Sequence, residues 1–86
     1  MPAIIKLVER FLFEQKAIDI GDVRRLLEFF GYKEKGNPGS ECIFHKKGAY
    51  PITVPTVHGR HVKSPYVRLI VRRLSLEEWY ERNKEE

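Results

Sequence analysis

The sequence predicts one α+β domain, a three-stranded antiparallel sheet with helices on one face, in the order α-α-β-β-β-α-α. Three observations predict it. Apolar residues recur at helical spacing up to residue 31 and again from residue 64, whereas between these points the period falls to two. Clusters of turn formers cut the middle stretch into three short pieces. Finally, 86 residues of which 42% are hydrophobic can build one core but not two.

The elements follow in order. Residues 3–17 carry Ile4, Leu7, Val8 and Phe11 on one helical face, widened by Ile5 and Leu12, with Pro2 suited to a first turn. Asp19 is a good N-cap for a second helix with Val23, Leu26, Leu27 and Phe30 inward, and Gly31 stands where a left-handed residue would end it. Tyr32 to Lys35 suits a short strand, followed by the turn formers Gly36, Asn37, Pro38 and Gly39. From Glu41 to Lys46 the residues alternate: Cys42 and Phe44 point to the core, and Glu41, Ile43 and His45 point away. Lys47-Gly48-Ala49 connects tightly to a third strand, Tyr50–Pro55, with Ile52 and Val54 on one face. After a loop from Thr56 to Lys63, Ser64-Pro65 reads as an N-cap and first-turn pair for a helix with Val67, Ile70, Val71 and Leu74 inward. Ser75-Leu76-Glu77-Glu78 reads as a capping box for a last short helix carrying Trp79 and Tyr80. The aromatic residues Phe11, Phe13, Phe29, Phe30, Trp79 and Tyr80 all fall on helices and are expected in the core, with Trp79 a neighbour of the first helix. Within this layout the α-β-β-β-α order is that of the double-stranded-RNA-binding domain.

Charge points to a polyanionic partner. Sixteen Lys and Arg against 12 Asp and Glu give a net charge of +4, and basic domains bind nucleic acid by displacing its counterions. The distribution sharpens this. Residues 41–73 hold Lys46, Lys47, Arg60, Lys63, Arg68, Arg72 and Arg73 against the lone acid Glu41, while residues 74–86 are acidic. Arg60, Lys63 and Arg68 bracket a helix start, whose amide donors and dipole favour phosphate, and Arg68 and Arg72 share a face four residues apart. The single cysteine, Cys42, excludes an internal disulfide framework and suits a reducing compartment. No signal peptide or apolar run of transmembrane length is visible, so a cytoplasmic protein with no membrane role is expected. Cys42-x2-His45-x12-His58-x2-His61 imitates zinc-ligand spacing. However, Cys42 and His45 are an odd number of residues apart on a strand and project to opposite faces, so no metal or other cofactor is expected.

From Asp22 to about Tyr80 the chain resembles the HicA family of toxins from type II toxin–antitoxin pairs. The likeness rests on Leu26-Leu27-x-x-x-Gly31-Tyr32, on Gly39-Ser40 opening the second strand, and on Phe44. It continues through Val54-Pro55-Thr56-Val57-His58-Gly59 and Val62-Lys63 before a basic helix. The resemblance implies a compact RNA-binding fold over residues 19–80, with residues 1–18 as an extra N-terminal helix. It also implies metal-independent endoribonuclease activity on messenger RNA (an mRNA interferase) and silencing by a HicB-like antitoxin. Ser40, Lys46, Lys47, Arg60, His61, Lys63, Arg68 and Arg72 are then the expected RNA contacts. One departure bears on the chemistry: the family has Gly-Ser-His with the His as catalytic residue, whereas this chain has Gly39-Ser40-Glu41.

RNA cleavage without a metal needs a base for the 2′-hydroxyl, an acid for the leaving 5′-oxygen, and cations on the phosphorane. The expected catalytic residues are Glu41 as base and His45 or His58 as acid, with His61 a further candidate. Glu41 and His45 share a strand face, but their Cα atoms stand roughly 13 Å apart over four residues. The plainer alternative makes Glu41 a solvated strand residue and leaves a non-catalytic RNA-binding regulatory module. A third reading is a structural domain that forms a homo-oligomer through its N-terminal helix.

Overall fold

The computed structural model describes residues 3–35 and 41–84. Within them the order is α-α-β-β-β-α-α, as the sequence predicts, with all the helices on one face of the sheet. Pro2, the turn formers Gly36 to Gly39, and Ser40 lie outside the described residues.

Helix α1, Ala3–Phe13, buries Ile5, Leu7, Val8 and Phe11. It stops earlier than the expected 3–17. Glu14 leaves helical geometry (φ −133°, ψ 52°), and Gln15–Ala17 forms a single 3-10 turn. The break brings Ile18 round in extended conformation to full burial. Side chains take over the orphaned carbonyls: the Gln15 amide donates to the Phe11 carbonyl at 3.0 Å and Arg10 to that of Ala17 at 2.7 Å.

Helix α2, Ile20–Phe29, begins with a reciprocal cap. The Asp22 N–H donates to Asp19 Oδ1 at 2.9 Å, and the Asp19 N–H donates to Asp22 Oδ2 at 3.1 Å. It ends as Gly31 predicts, with φ +94°. The Gly31 N–H reaches the Glu28 carbonyl at 3.1 Å and the Tyr32 N–H that of Leu27 at 2.9 Å, the paired closure that only a left-handed residue permits.

Strands β1 (Lys33–Lys35), β2 (Glu41–His45) and β3 (Ile52–Pro55) pair antiparallel in that order. They are shorter than expected at Tyr32, at Lys46, and at Tyr50 and Pro51. Tyr32 is buried at the end of α2 and Tyr50 is 84% exposed in a loop. Cys42, Phe44, Ile52 and Val54 face the helices. Residues opposite one another in the register share a face, so Lys33 with His45, Lys35 with Ile43 and Thr53, and Glu41 with Pro55 form the open face.

Helix α3, Ser64–Leu74, buries Val67 and Ile70, with Val71 and Leu74 half-buried. Its N-cap is Lys63 rather than Ser64. Lys63 is extended and its carbonyl accepts the first helical N–H groups, from Tyr66 and Val67, while no side chain caps the end. The helix runs back along β3: Arg73, near its C-terminus, donates to the carbonyls of Tyr50 and Pro51 just before that strand.

Ser75 makes no capping box. It is left-handed (φ 51°, ψ 48°), without a side-chain bond to the amides of the last helix, α4, Leu76–Asn83. A capping serine needs extended geometry to aim its hydroxyl at those amides. Here the residue instead ends α3 and starts α4 within one position, folding α4 back onto α1. There Tyr80 meets α1: its hydroxyl donates to Glu9 at 2.7 Å and its ring abuts Phe13. Trp79 packs on Phe29 and Phe30 of α2. Phe13 and Phe29 are 68% and 54% exposed, contrary to their expected place in the core, because each lies beside its helix's buried stripe.

Candidate nucleic-acid interface

The segment from Thr56 to Lys63 is held by main-chain bonds on both sides. His58 and Gly59 have φ of 54° and 72° and occupy the centre of a turn closed by the Arg60 N–H on the Val57 carbonyl at 3.1 Å. Two successive positive φ values mark the mirror-image turn whose twist suits a hairpin. Val57 and His61 then exchange hydrogen bonds of 2.8 and 3.1 Å. On its other side the segment is stitched to the approach to α2. The Ile20 N–H donates to the Arg60 carbonyl at 2.7 Å and the Val62 N–H to that of Ile18 at 3.2 Å. Val62 is fully buried, whereas His58, Arg60, His61 and Lys63 are exposed. The backbone therefore presents these four side chains from a fixed base.

Arg68 and Arg72 continue the cationic line along α3, both exposed. The arginines divide by use. Arg10 and Arg25 are committed to Asp22 at 3.0 and 2.6 Å, Arg24 to Glu34 at 2.6 Å, and Arg73 to the loop carbonyls. Among the described residues, no hydrogen-bond or ion-pair partner is found for the side chains of Arg60, Lys63, Arg68 or Arg72. Exposed cations without acidic partners, carried by one loop and the helix that follows it, are what a polyanion requires.

The catalytic candidates separate. Glu41 pairs with Pro55, so it lies at the end of the sheet from which the His58 turn departs; His45 pairs with Lys33 at the opposite end. Lys46 and Lys47 also lie at that far end, where the Lys46 ammonium sits 5.6 Å from the centre of the Tyr32 ring. The sequence-predicted site thus falls into two groups. Glu41 and the His58 turn lie at one end of the sheet, Glu41 on its open face, and Arg60, His61 and Lys63 lead from that turn to Arg68 in α3, while His45, Lys46 and Lys47 lie at the sheet's other end. Cys42 is buried on the helical face of β2, with His45 exposed on the other. Burial and the neighbouring Glu34 carboxylate push the Cys42 thiol pKa up, against the opposing pull of Arg24. It behaves as a neutral core residue.

Lys16 escaped the sequence reading. It stands on the 3-10 turn, and a groove lined also by Gln15, Ser64 and Arg68 lies between that turn and α3. Nothing in the local pattern marks it, since it comes from an element more than 40 residues from α3. No protein-family model, no curated protein and no solved structure matches this chain.

Proposed function

We propose that this chain is an RNA-binding toxin of the HicA type that acts on messenger RNA and is silenced by a HicB-like antitoxin. One observation carries the reading. Arg60, Lys63, Arg68 and Arg72 are exposed, their side chains lack protein partners among the described residues, and they run from a backbone-pinned loop along one helix. The α-β-β-β-α order from α2 to α3 supports a fold like the double-stranded-RNA-binding domain, and A-form RNA is read mainly through shape and backbone contacts. The oligomer reading has less to draw on, because the apolar stripe of α1 is buried within the chain.

Binding of a structured RNA should weaken steeply as salt rises. Replacing Lys63 and Arg68 together by Ala should lower the logarithmic salt slope by about two, roughly one counterion for each phosphate no longer neutralised. Wild-type protein that does not bind RNA, or a double variant that binds as wild type does, would overturn the reading.

Cleavage is the second element of the proposal, favoured by the common position of Glu41 and the His58 turn at one end of the sheet. Glu41 takes the 2′-hydroxyl proton, His58 gives a proton to the leaving 5′-oxygen, and Arg60 or Lys63 stabilises the phosphorane charge. His45, at the far end, has no part in this scheme. Glu41→Gln should slow cleavage roughly 10²–10⁴-fold, the range of a general base, with RNA affinity retained and a chelator present throughout. RNA that is bound by wild type but left intact would leave a non-catalytic RNA-binding module. Unchanged cleavage by Glu41→Gln would place the chemistry elsewhere.

A further inference from the structure

The early end of α1 has a consequence for the surface. Because the chain leaves helical geometry at Glu14, the 3-10 turn lies against the first turns of α3. The groove between them carries Lys16 on one wall and Arg68 on the other. Past Gln15 and Arg68 it continues along α3 to Arg72. Arg68 and Arg72 are one helical turn apart on one face. Among the described residues none of the three cations has an acidic partner. Glu14 and Glu77 also line these grooves, without an ion pair to any of the three.

Like charges on facing walls repel one another in the free protein, and a bound polyanion relieves that repulsion. The upper end of the groove, at Ser64, adjoins Lys63 and so is continuous with the cationic line already described. A phosphodiester backbone fits this arrangement better than an acidic protein surface, because its charges repeat along one line and are met from two sides. The carboxylates of Glu14 and Glu77 would oppose either partner.

We propose that the N-terminal extension is part of the RNA-binding apparatus, with Lys16 gripping the same backbone that Arg68 and Arg72 contact from the other wall. This rests on the RNA-binding reading above and extends the RNA path beyond residues 19–80. It makes α1 and its terminal turn both a packing element and a source of phosphate contacts.

The test is a salt titration of RNA binding by the full chain, using one labelled RNA hairpin, for wild type, Lys16→Ala, Lys16→Glu and Lys6→Ala. Lys6 is an exposed α1 cation that does not line the groove. Lys16→Ala should lower the salt slope by about one, Lys16→Glu should weaken binding further, and Lys6→Ala should leave slope and affinity unchanged. Thermal melts should superimpose, since Lys16 is exposed and unpaired among the described residues. If wild type binds RNA and the Lys63, Arg68 pair matters, but Lys16→Ala behaves as Lys6→Ala does, this inference falls and the RNA-binding reading stands. If polyglutamate competes with the hairpin as well as unlabelled RNA does, the groove attracts any acidic chain and the inference also falls. Should wild type bind no RNA, both readings fall together.

Discussion

Asp22 is the residue on which the helical layer turns. Its carboxylate is 5% exposed, caps α2 through the Asp19 amide, and accepts from Arg10 of α1 and Arg25 of α2. Burial alone would raise its pKa; the Asp19 amide and the two guanidinium groups outweigh this and hold it below the usual carboxylate range. A depressed folded pKa contributes stability that is present above the unfolded pKa and lost as pH falls through the folded one. Asp22→Ala should therefore cost about 2 kcal/mol at neutral pH, as for hydrogen bonds to a charged group, lowering Tm by roughly 10 °C. Melts of both proteins across pH should converge as pH falls through the lowered folded pKa of Asp22. A gap that persists undiminished at pH 2 would assign the loss to packing. The Asp19 cap was legible in the sequence, as a capping residue at the right offset. The partnership with Arg10 was not, because it joins residues 12 apart across two helices.

At the scale of elements, α1 is a wall of the core. It touches α2, α3 and α4, buries four apolar residues, and is tied by Arg10 to Asp22 and by Glu9 to Tyr80. Removing residues 1–18 would uncover the apolar faces of the helices it touches and strand the Asp22 carboxylate without Arg10. Four buried side chains at about 1.5–3 kcal/mol each approach the whole stability of a domain this size. The truncated chain should thus fail to give a cooperative melt by circular dichroism, and unchanged thermal stability would refute this account of α1. Amphipathic spacing correctly announced that the helix packs. Its length was misread because no glycine or proline marks Glu14; the break comes from the gain in burying Ile18 and from side chains that satisfy the freed carbonyls. Ser75 shows the same limit. Ser-x-x-Glu ordinarily reads as a cap, yet the need to return α4 onto α1 sets the backbone there.

Over the whole molecule, the folding pattern sorts charge. The acids Glu77, Glu78 and Glu81 sit on α4, the helix that folds back onto α1, while α3, which returns along β3, carries the unpaired cations. Helices cover one sheet face, leaving Lys33, Lys35, Glu41, Ile43, His45 and Thr53 on the other. In the described residues no helix is long and apolar enough to cross a membrane. The arrangement gives the RNA proposal its geometry: one line of cations from the His58 turn along α3, widened at the 3-10 turn by Lys16.

The sequence by itself determined the class of fold, the order of its elements and the inward face of each. Those properties depend on period, on turn chemistry at Gly31, and on the alternation around Cys42 and Phe44, all of which act within a few residues. Tertiary structure decided which charges are used up in holding the fold and which remain unpaired among the described residues. Arg24 and Arg73 look no different from Arg68 and Arg72 along the chain, yet the first two find acceptors on other elements and the other two do not. It also decided that the His58 turn stands at the Glu41 end of the sheet, because the antiparallel return of β3 sets Pro55 opposite Glu41. The spacing along β2 already separates His45 from Glu41, whereas the register that brings the His58 turn beside Glu41 is not set by spacing along the chain.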